Sequence, residues 1–408
     1  MNGMEPKSYD PIAFRHLSKS KGNNSASMLV GNRRLLLSLI RANGKATRNQ
    51  LAEATGLKFA TVTNIVNQLL DEQIIVNSGR VDGGKGRSVS SFSIANTKFV
   101  LVTRITAVYV KVGIANVKNE IIDVKKVFFR TEDTFTEAER LIVDIVREYV
   151  NHYGEDRILM NVVSVEHRYK ISANGYVIWD AYTGEYRDIS ILLYERTQIR
   201  VVSERSINLI AYGIIENCEK ELDADHYMMV TVNLGYDLES AIVIDGRVIH
   251  GRNGRCGMLD RVLLSQGKQK YTSILTVQAI LNMINVRKSV HPDSFINSLA
   301  EVNIRDVIQG YKNGDSLCVD VYDEVAEYYG LLCANIIAFL DPDVLCVGEE
   351  IPLTNAYLLK LRACAAKYIK EEDARRMKFF SAKERVSKYD PTLIGAAKYG
   401  YDLYLNMV

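Results

Sequence analysis

The sequence predicts an α/β protein: a winged helix-turn-helix at the N-terminus, followed by two lobes of mixed sheet and helix. Three observations carry that expectation. Between Asn32 and Leu69, apolar residues recur at helical spacing and are twice interrupted by turn chemistry. Two short strand-like runs then flank a glycine-rich, basic stretch, and from Phe99 onward strand runs and helical segments alternate in two successive blocks.

The first helix is read from Leu35, Leu36, Leu39 and Ile40, and it stops at Asn43-Gly44. Thr47-Arg48-Asn49-Gln50 then has the form of a capping box, in which the Thr hydroxyl and the Gln side chain each satisfy an orphan backbone N–H. A short second helix follows through Leu51, Ala52 and Ala54, and Thr55-Gly56-Leu57 makes the turn. Val62, Ile65, Val66 and Leu69 repeat at intervals of 3, 4 and 7 as the buried face of a third helix. Ile74-Ile75-Val76 and Ser91-Phe92-Ser93-Ile94 are the strands of a wing, whose tip carries Gly83, Gly84 and Gly86.

Charge points the same way. Residues 1–95 hold 13 Lys and Arg against 6 Asp and Glu, whereas the remaining chain holds 38 against 43. A basic segment on a mildly acidic body implies a polyanionic partner, because neutralising phosphates releases counterions. Thr61, Thr63, Asn64 and Asn67 are expected to meet base edges and phosphates of double-stranded DNA. Arg48 and Lys58 would hold phosphate, while Arg80, Lys85 and Arg87 supply the wing with charge, Arg87 reaching the minor groove. Lys58 stands where many such helices carry a Ser or Thr cap, which leaves the helix start open. The alternative for this segment is a three-helix module that binds protein.

In the body, residues 99–129 alternate as several strands with a hairpin turn at "NVKNEI", and a helix then shows Ala138, Leu141, Ile142, Ile145, Val146 and Val150 on one face. "ILMNVVSVEH" reads as a buried strand and "QIRVVSERSINLIAYGIIE" as a strand–helix unit. The second block repeats the order: strands with a turn at Asp245-Gly246, helices over much of Ile274 to Leu340, and a buried strand in "DPDVLCVGEEI". Two such blocks imply two α/β lobes with a cleft between them.

Composition excludes other classes. No apolar run is long enough to span a bilayer, and the polar N-terminus lacks the apolar core of a secretory signal, so a cytoplasmic protein is expected. The six cysteines are scattered, without a Cys-x-x-Cys pair or His-x-x-x-His, and read as reduced, buried thiols rather than metal ligands.

The chain resembles the ROK family of repressors and sugar kinases, in particular its xylose-repressor and N-acetylglucosamine-repressor branch, over residues 31–400. "GLKFATVTNIVNQLLDEQIIVNSG" is similar to the family's DNA-reading segment, "GGKGRS" to its wing, and "ANIIAFLDPDVLCVGEEI" to its helix–strand–turn segment, with Asp341-Pro342 and Gly348-Glu349 at the marker positions. "DPTLIGAAKYG" matches its C-terminal helix. The resemblance implies an actin-like ATPase fold for the body. It divides the chain into an arm (1–30), the winged helix-turn-helix (31–95), a first lobe (96–205, completed by the helix 390–408) and a second lobe (206–389). It also implies a homodimer or tetramer on a DNA operator, responding to a sugar or sugar-phosphate effector.

The departures from that pattern are informative. The family's first phosphate loop needs a carboxylate and glycines, whereas Val102-Thr103-Arg104-Ile105-Thr106-Ala107 has neither. "NLGYDLESA" keeps only Gly235 of the second. The catalytic Asn-Asp pair that begins a helix is matched by Ser203-Glu204, where the longer Glu204 side chain would misplace a base. Sugar-binding Glu-x-Gly-His is replaced by Met258-Leu259-Asp260-Arg261, and the zinc cysteines by "LLSQGKQKYTSI". These losses predict no enzymatic activity, no cofactor and no metal, with a divergent sugar kinase as the alternative. Two readings of the effector pocket stay open: a vestigial site, or one in which Arg205, Arg255 or Arg261 recognises an anionic ligand, and Glu204 is a further candidate effector-site residue.

Overall fold

The computed structural model describes residues 25–82, 88–106, 109–129, 135–165, 171–172, 175–179, 186–218, 228–235, 237–252, 254–265, 269–370, 372–373, 378–381 and 390–407. These form two compact units: the chain up to Ser206 together with Leu393 onward, and Ile207 to Thr392.

In the first unit, α1 (Ser25–Ala42) begins inside the stretch expected to be an arm. No glycine or proline interrupts Ser25 to Val30, so the helical pattern extends backward. Its buried stripe is Arg33, Leu36, Leu37 and Ile40. That corrects the expected Leu35/Leu36/Leu39/Ile40 stripe: Leu35 is 43% exposed, because an arginine occupies one position of the inward face. A two-residue strand β1 (Ala46–Thr47) leads into α2 (Arg48–Thr55), and the expected capping box is present, with Gln50 N–H donating to Thr47 Oγ1 and Thr47 N–H to Gln50 Oε1. Gly56 closes α2 at φ +68°, a left-handed conformation that favours glycine. Helix α3 (Phe59–Asp71) buries Val62, Ile65, Val66 and Leu69 as expected. Strands β2 (Ile75–Asp82) and β3 (Ser88–Ile94) pair antiparallel and outrun the short strands expected, with β1 against β3's other edge.

The first lobe is a five-stranded sheet in the order β11-β7-β4-β5-β6. Here β4 (Phe99–Ile105), β7 (Ile158–Val165) and β11 (Val201–Arg205) run parallel, and β5 (Tyr109–Asn116) and β6 (Ile121–Phe128) extend the sheet antiparallel. Helices α4 (Phe135–Tyr153) and α5 (Ile189–Thr197) cover one face, where Leu101, Ile105 and Val112 pack with Ile142, Val146 and Leu193. A small antiparallel sheet of β8 (Ile171–Ser172), β9 (Gly175–Trp179) and β10 (Tyr186–Asp188) lies between β7 and α5 in sequence.

The C-terminal helix (Pro391–Met407) covers the opposite face. At Gly400 a Cβ would come within 2.6 Å of Val162 and 2.8 Å of Val100, so glycine is what lets the helix lie this close. The same helix meets α1, where Arg34 pairs with Asp402 at 3.2 Å. Burial raises the pKa of Tyr401, and Tyr404 is raised by burial and by nearby Glu72, against the opposing charges of Arg33 and Arg200.

The second unit holds α6 (Ser206–Cys218, from Ile207 on) and a sheet in the order β14-β13-β12-β17-β18. Strands β12 (Met228–Leu234), β13 (Leu238–Ile244) and β14 (Arg247–Val248) form a meander, with Asp245-Gly246 as the tight turn at φ +49° and +72°. A two-stranded ribbon of β15 (Leu263–Ser265) and β16 (Gln269–Lys270) precedes α7 (Val277–Arg287), α8 (Ile304–Asn313) and α9 (Ser316–Leu340). Strand β17 (Val344–Glu349), α10 (Asn355–Ala366) and β18 (Lys378–Ser381) complete it. Gly330 of α9 faces the Cys364 Cβ at 2.5 Å from where its own would stand, which sets the α9–α10 approach. Tyr311, Tyr322 and Tyr357 pack edge to face, with centroids 5.3 to 5.9 Å apart. Tyr322 and Tyr357 donate their buried hydroxyls to the carbonyls of Glu350 and Tyr322. Cys318, Cys333, Cys346 and Cys364 are buried thiols, and burial pushes Cys318 up to about 12 and Cys364 to about 11. Among the described residues, no helix is long and apolar enough to cross a membrane.

Candidate nucleic-acid interface

Helix α3 presents Lys58, Phe59, Ala60, Asn64, Asn67 and Gln68 to solvent, while Thr61 and Thr63 are half-buried at its flanks. Lys58 occupies the N-cap with an extended backbone and makes no side-chain cap bond. The helix therefore starts at Phe59, and Lys58 stands beside first-turn N–H groups that its side chain does not cap. Arg80 is exposed on β2, whereas Lys85 and Arg87 lie outside the described residues.

Two residues assigned separate tasks from the sequence are bonded to each other. The Arg48 Nη2 donates to Asn67 Oδ1 at 2.8 Å, and its guanidinium lies over the Phe92 ring at 4.6 Å from the centroid. Burial against these groups lowers the arginine's pKa. Phe92 is itself buried, held opposite Ala46 in the β1–β3 register, so Arg48 ties α2 to both α3 and the wing strand.

Sequence reasoning passed over Phe59, which is 53% exposed at the first position of α3. Its spacing of three from Val62 places it in phase with the buried stripe, so periodicity alone assigns it to the core. The available signal was its position directly after the turn, where the helix has not yet come under cover.

Behind Arg33 the head is fastened by an ion pair. The Arg33 guanidinium is 2% exposed and donates to both carboxylate oxygens of Glu72 at the end of α3, at 2.9 Å for Nη1, with a longer bond to Gln68.

In the first lobe, β4 runs unbroken from Phe99 to Ile105, so Val102, Thr103 and Arg104 are strand residues rather than a loop. The Thr103 hydroxyl donates to Asn161 inside the sheet, and residues 107–108 lie outside the described residues. Arg104, Ser164 and Glu204 share one register row across β4, β7 and β11. Glu204 and Arg205 are successive strand residues, both buried, and so point to opposite faces of the sheet. Helix α6 begins at Ser206, whose hydroxyl meets Ser164 at 2.8 Å. This corrects the match of Ser203-Glu204 to a helix-initiating pair: both are strand residues, the strand runs on through Arg205, and the junction residues are Arg205 and Ser206.

In the second unit, residues 249–252 and 254–258 fold back on β13. Ser240 donates twice to the Gly257 carbonyl, from its N–H at 2.9 Å and its hydroxyl at 2.8 Å, and Cys256 N–H donates to His250. Arg255 is exposed on this loop and Met258 is half-buried, while Leu259 belongs to the core. Arg261 ends a short 3-10 turn, and its side chain lies outside the described residues. At the second phosphate position, between β12 and β13, Gly235 N–H donates to the Asp237 carbonyl at 3.1 Å. Glu204 and Arg205 thus belong to the first unit, Arg255 and Arg261 to the second.

The ROK family pattern matches residues 103–399, well over half of the chain. The chain belongs to the ROK family. A winged helix-turn-helix DNA-binding pattern matches residues 31–76, ahead of the ROK body. The xylose repressor of Caldicellulosiruptor bescii is 20% identical over 352 residues, covering 81% of this chain and 86% of that protein. Among solved structures, a ROK family transcriptional regulator described as a homologue of the Escherichia coli MLC protein superposes with a TM-score of 0.77 at 20% identity, covering 94% of this chain and 98% of that one. A ROK glucokinase from Streptomyces griseus, solved with glucose and AMPPNP, superposes with a TM-score of 0.58 at 17% identity over 74% of this chain and 98% of that one. These likenesses establish the fold as a winged helix-turn-helix joined to the actin-like ROK body.

Proposed function

We propose that this chain is a DNA-binding transcriptional regulator, a repressor of carbohydrate-metabolism genes, whose ROK body is a non-catalytic sensor. The observation that carries the proposal is α3: a cap-free helix start with exposed Lys58, Phe59, Asn64 and Asn67, attached to a ROK body. Helices with donors and acceptors on the outward face read base edges in a major groove, while the wing follows the backbone. The related xylose repressor and the regulator described as an MLC homologue agree with this reading. The regulator acts in the cytoplasm as a homodimer or tetramer, with half-sites roughly 34 Å or a multiple apart.

Selection of bound sequences from a random DNA pool tests this directly. We expect an enriched palindrome, with affinity falling roughly a thousandfold or more between 50 and 200 mM salt if Lys58, Arg80, Lys85 and Arg87 of two protomers meet phosphate. No enriched sequence, or salt-independent binding, overturns the reading in favour of a protein-binding module.

Against a kinase stand the strand-bound Arg104 and the junction residues Arg205 and Ser206, which supply no carboxylate at the helix start. Turnover of Mg-ATP with any hexose would revive that alternative.

For the effector, core burial of Leu259 and half-burial of Met258 favour a vestigial sugar pocket. Exposure of Arg255 on a stapled loop favours the second reading, an anionic ligand bound by a guanidinium fork. Thermal melting with xylose, N-acetylglucosamine and their phosphates separates them. The vestigial site predicts no shift with any of the four, whereas a shift by phosphates alone that Arg255→Ala abolishes establishes the second reading.

A further inference from the structure

Arg48 is a poor candidate for the phosphate contact that its charge advertises. Its guanidinium is engaged on two sides, by the Asn67 amide at 2.8 Å and by the face of Phe92 at 4.6 Å. A phosphate ligand would have to compete with both, and cation–π contact strengthens as the cation is desolvated.

The contact also fixes something about Asn67. An asparagine amide presents a donor or an acceptor depending on which way it is flipped, and the two ends are ordinarily assigned from the bonds they make. A guanidinium has donors only, so the atom facing Arg48 must be the amide oxygen. The NH2 end is thereby turned away from Arg48, on a residue that is exposed on the outward face of α3.

We infer that Arg48 is a positioning residue that sets Asn67 as a hydrogen-bond donor to one base of the operator. This rests on the DNA-binding reading above. Such a donor accepts a base edge with an acceptor in the major groove, which a purine N7 or thymine O4 supplies. It excludes cytosine, whose N4 amino group is itself a donor. Phe92 enters as the platform that holds the guanidinium in plane, which links the setting of Asn67 to the wing strand.

The experiment compares base preferences of the full-length wild type with R48A, R48K, N67A and N67D, each selected from a random DNA pool and then titrated at several salt concentrations. The wild type is expected to show one position where cytosine is disfavoured by about tenfold or more. R48A relaxes the exclusion at that position only, with the other positions retained and the slope of log affinity against log salt unchanged. N67A relaxes the same position, and R48A on top of N67A adds nothing further.

N67D keeps an acceptor for Arg48 while removing the donor, and is expected to turn the preference at that position toward cytosine, since a carboxylate accepts from N4. This variant decides the matter if R48A proves too unstable to assay, and R48K, which retains the charge but not the planar fork, should behave as R48A. Uniform weakening by R48A across all sequences, with the salt slope reduced by about one, would identify a phosphate contact and overturn the inference. So would N67D with no gain for cytosine. No enriched sequence for the wild type overturns the DNA-binding reading beneath it, a different result from either.

Discussion

Replacing Glu72 by alanine is expected to destabilise the head by about 3 kcal/mol, far more than the loss of a surface ion pair. Arg33 has no route to water: it is 2% exposed, and Glu72 accepts from both of its terminal nitrogens. Without Glu72, among the described residues the guanidinium keeps the 3.4 Å bond to Gln68 and stays buried as an uncompensated charge. The Glu72 side chain is 27% exposed, which admits some water and holds the cost to the lower end of the usual range for breaking a buried pair.

Amide hydrogen exchange along α1 and α3 is the appropriate readout, because the sole tryptophan, Trp179, belongs to the first lobe. The double variant R33M/E72L should recover most of the loss, since an apolar pair of similar volume carries no desolvation cost. A change under about 0.5 kcal/mol for Glu72→Ala would mean that the pair behaves as an exposed one.

Gly257→Ala is expected to cost the second unit about 3 kcal/mol. Its φ of +78° strains any L-residue by roughly 1 kcal/mol, and the new Cβ would stand 2.3 Å from the Ser240 carbonyl oxygen. To escape, the loop must leave β13 and give up both bonds from Ser240, each contributing about 1 kcal/mol net. Gly254→Ala is the control, with a similar φ of +68° and nothing within 4 Å of the added carbon, so only the conformational strain of about 1 kcal/mol remains. Urea unfolding of the two variants isolates the steric part as their difference. Equal losses would show that the loop yields without breaking its staple.

The head was legible in the sequence because its signals are local. Thr47 and Gln50 name a capping box three residues apart, and Gly56 names a left-handed turn. Val62, Ile65, Val66 and Leu69 state a buried face without help from the rest of the chain. The misplaced α1 stripe has a non-local cause. Arg33 sits inward because Glu72, thirty-nine residues away, neutralises it, and a pattern built on apolar residues shifts one place to avoid it. Phe59 went unread: it is in phase with the buried stripe, yet 53% exposed at the first position of α3.

The body was legible as a class and less so in register. Runs such as "VLCVG" are buried wherever the sheet places them, but the point at which β11 becomes α6 depends on pairing with β7, which continues to Arg205↔Val165. Ser203-Glu204 was therefore read two residues early. The Arg48–Asn67 bond joins positions nineteen residues apart on different helices, and no periodicity reports such a contact.

The bond between Arg34 and Asp402 spans 368 positions of chain. A ribosome adding about 5–20 residues per second needs roughly 20–70 s to travel that distance. For that interval a newborn head has α1, α2 and α3 but lacks the helix that covers its flank. The DNA-binding head is thus made long before the helix that packs on α1, so a growing polypeptide carries it without that support.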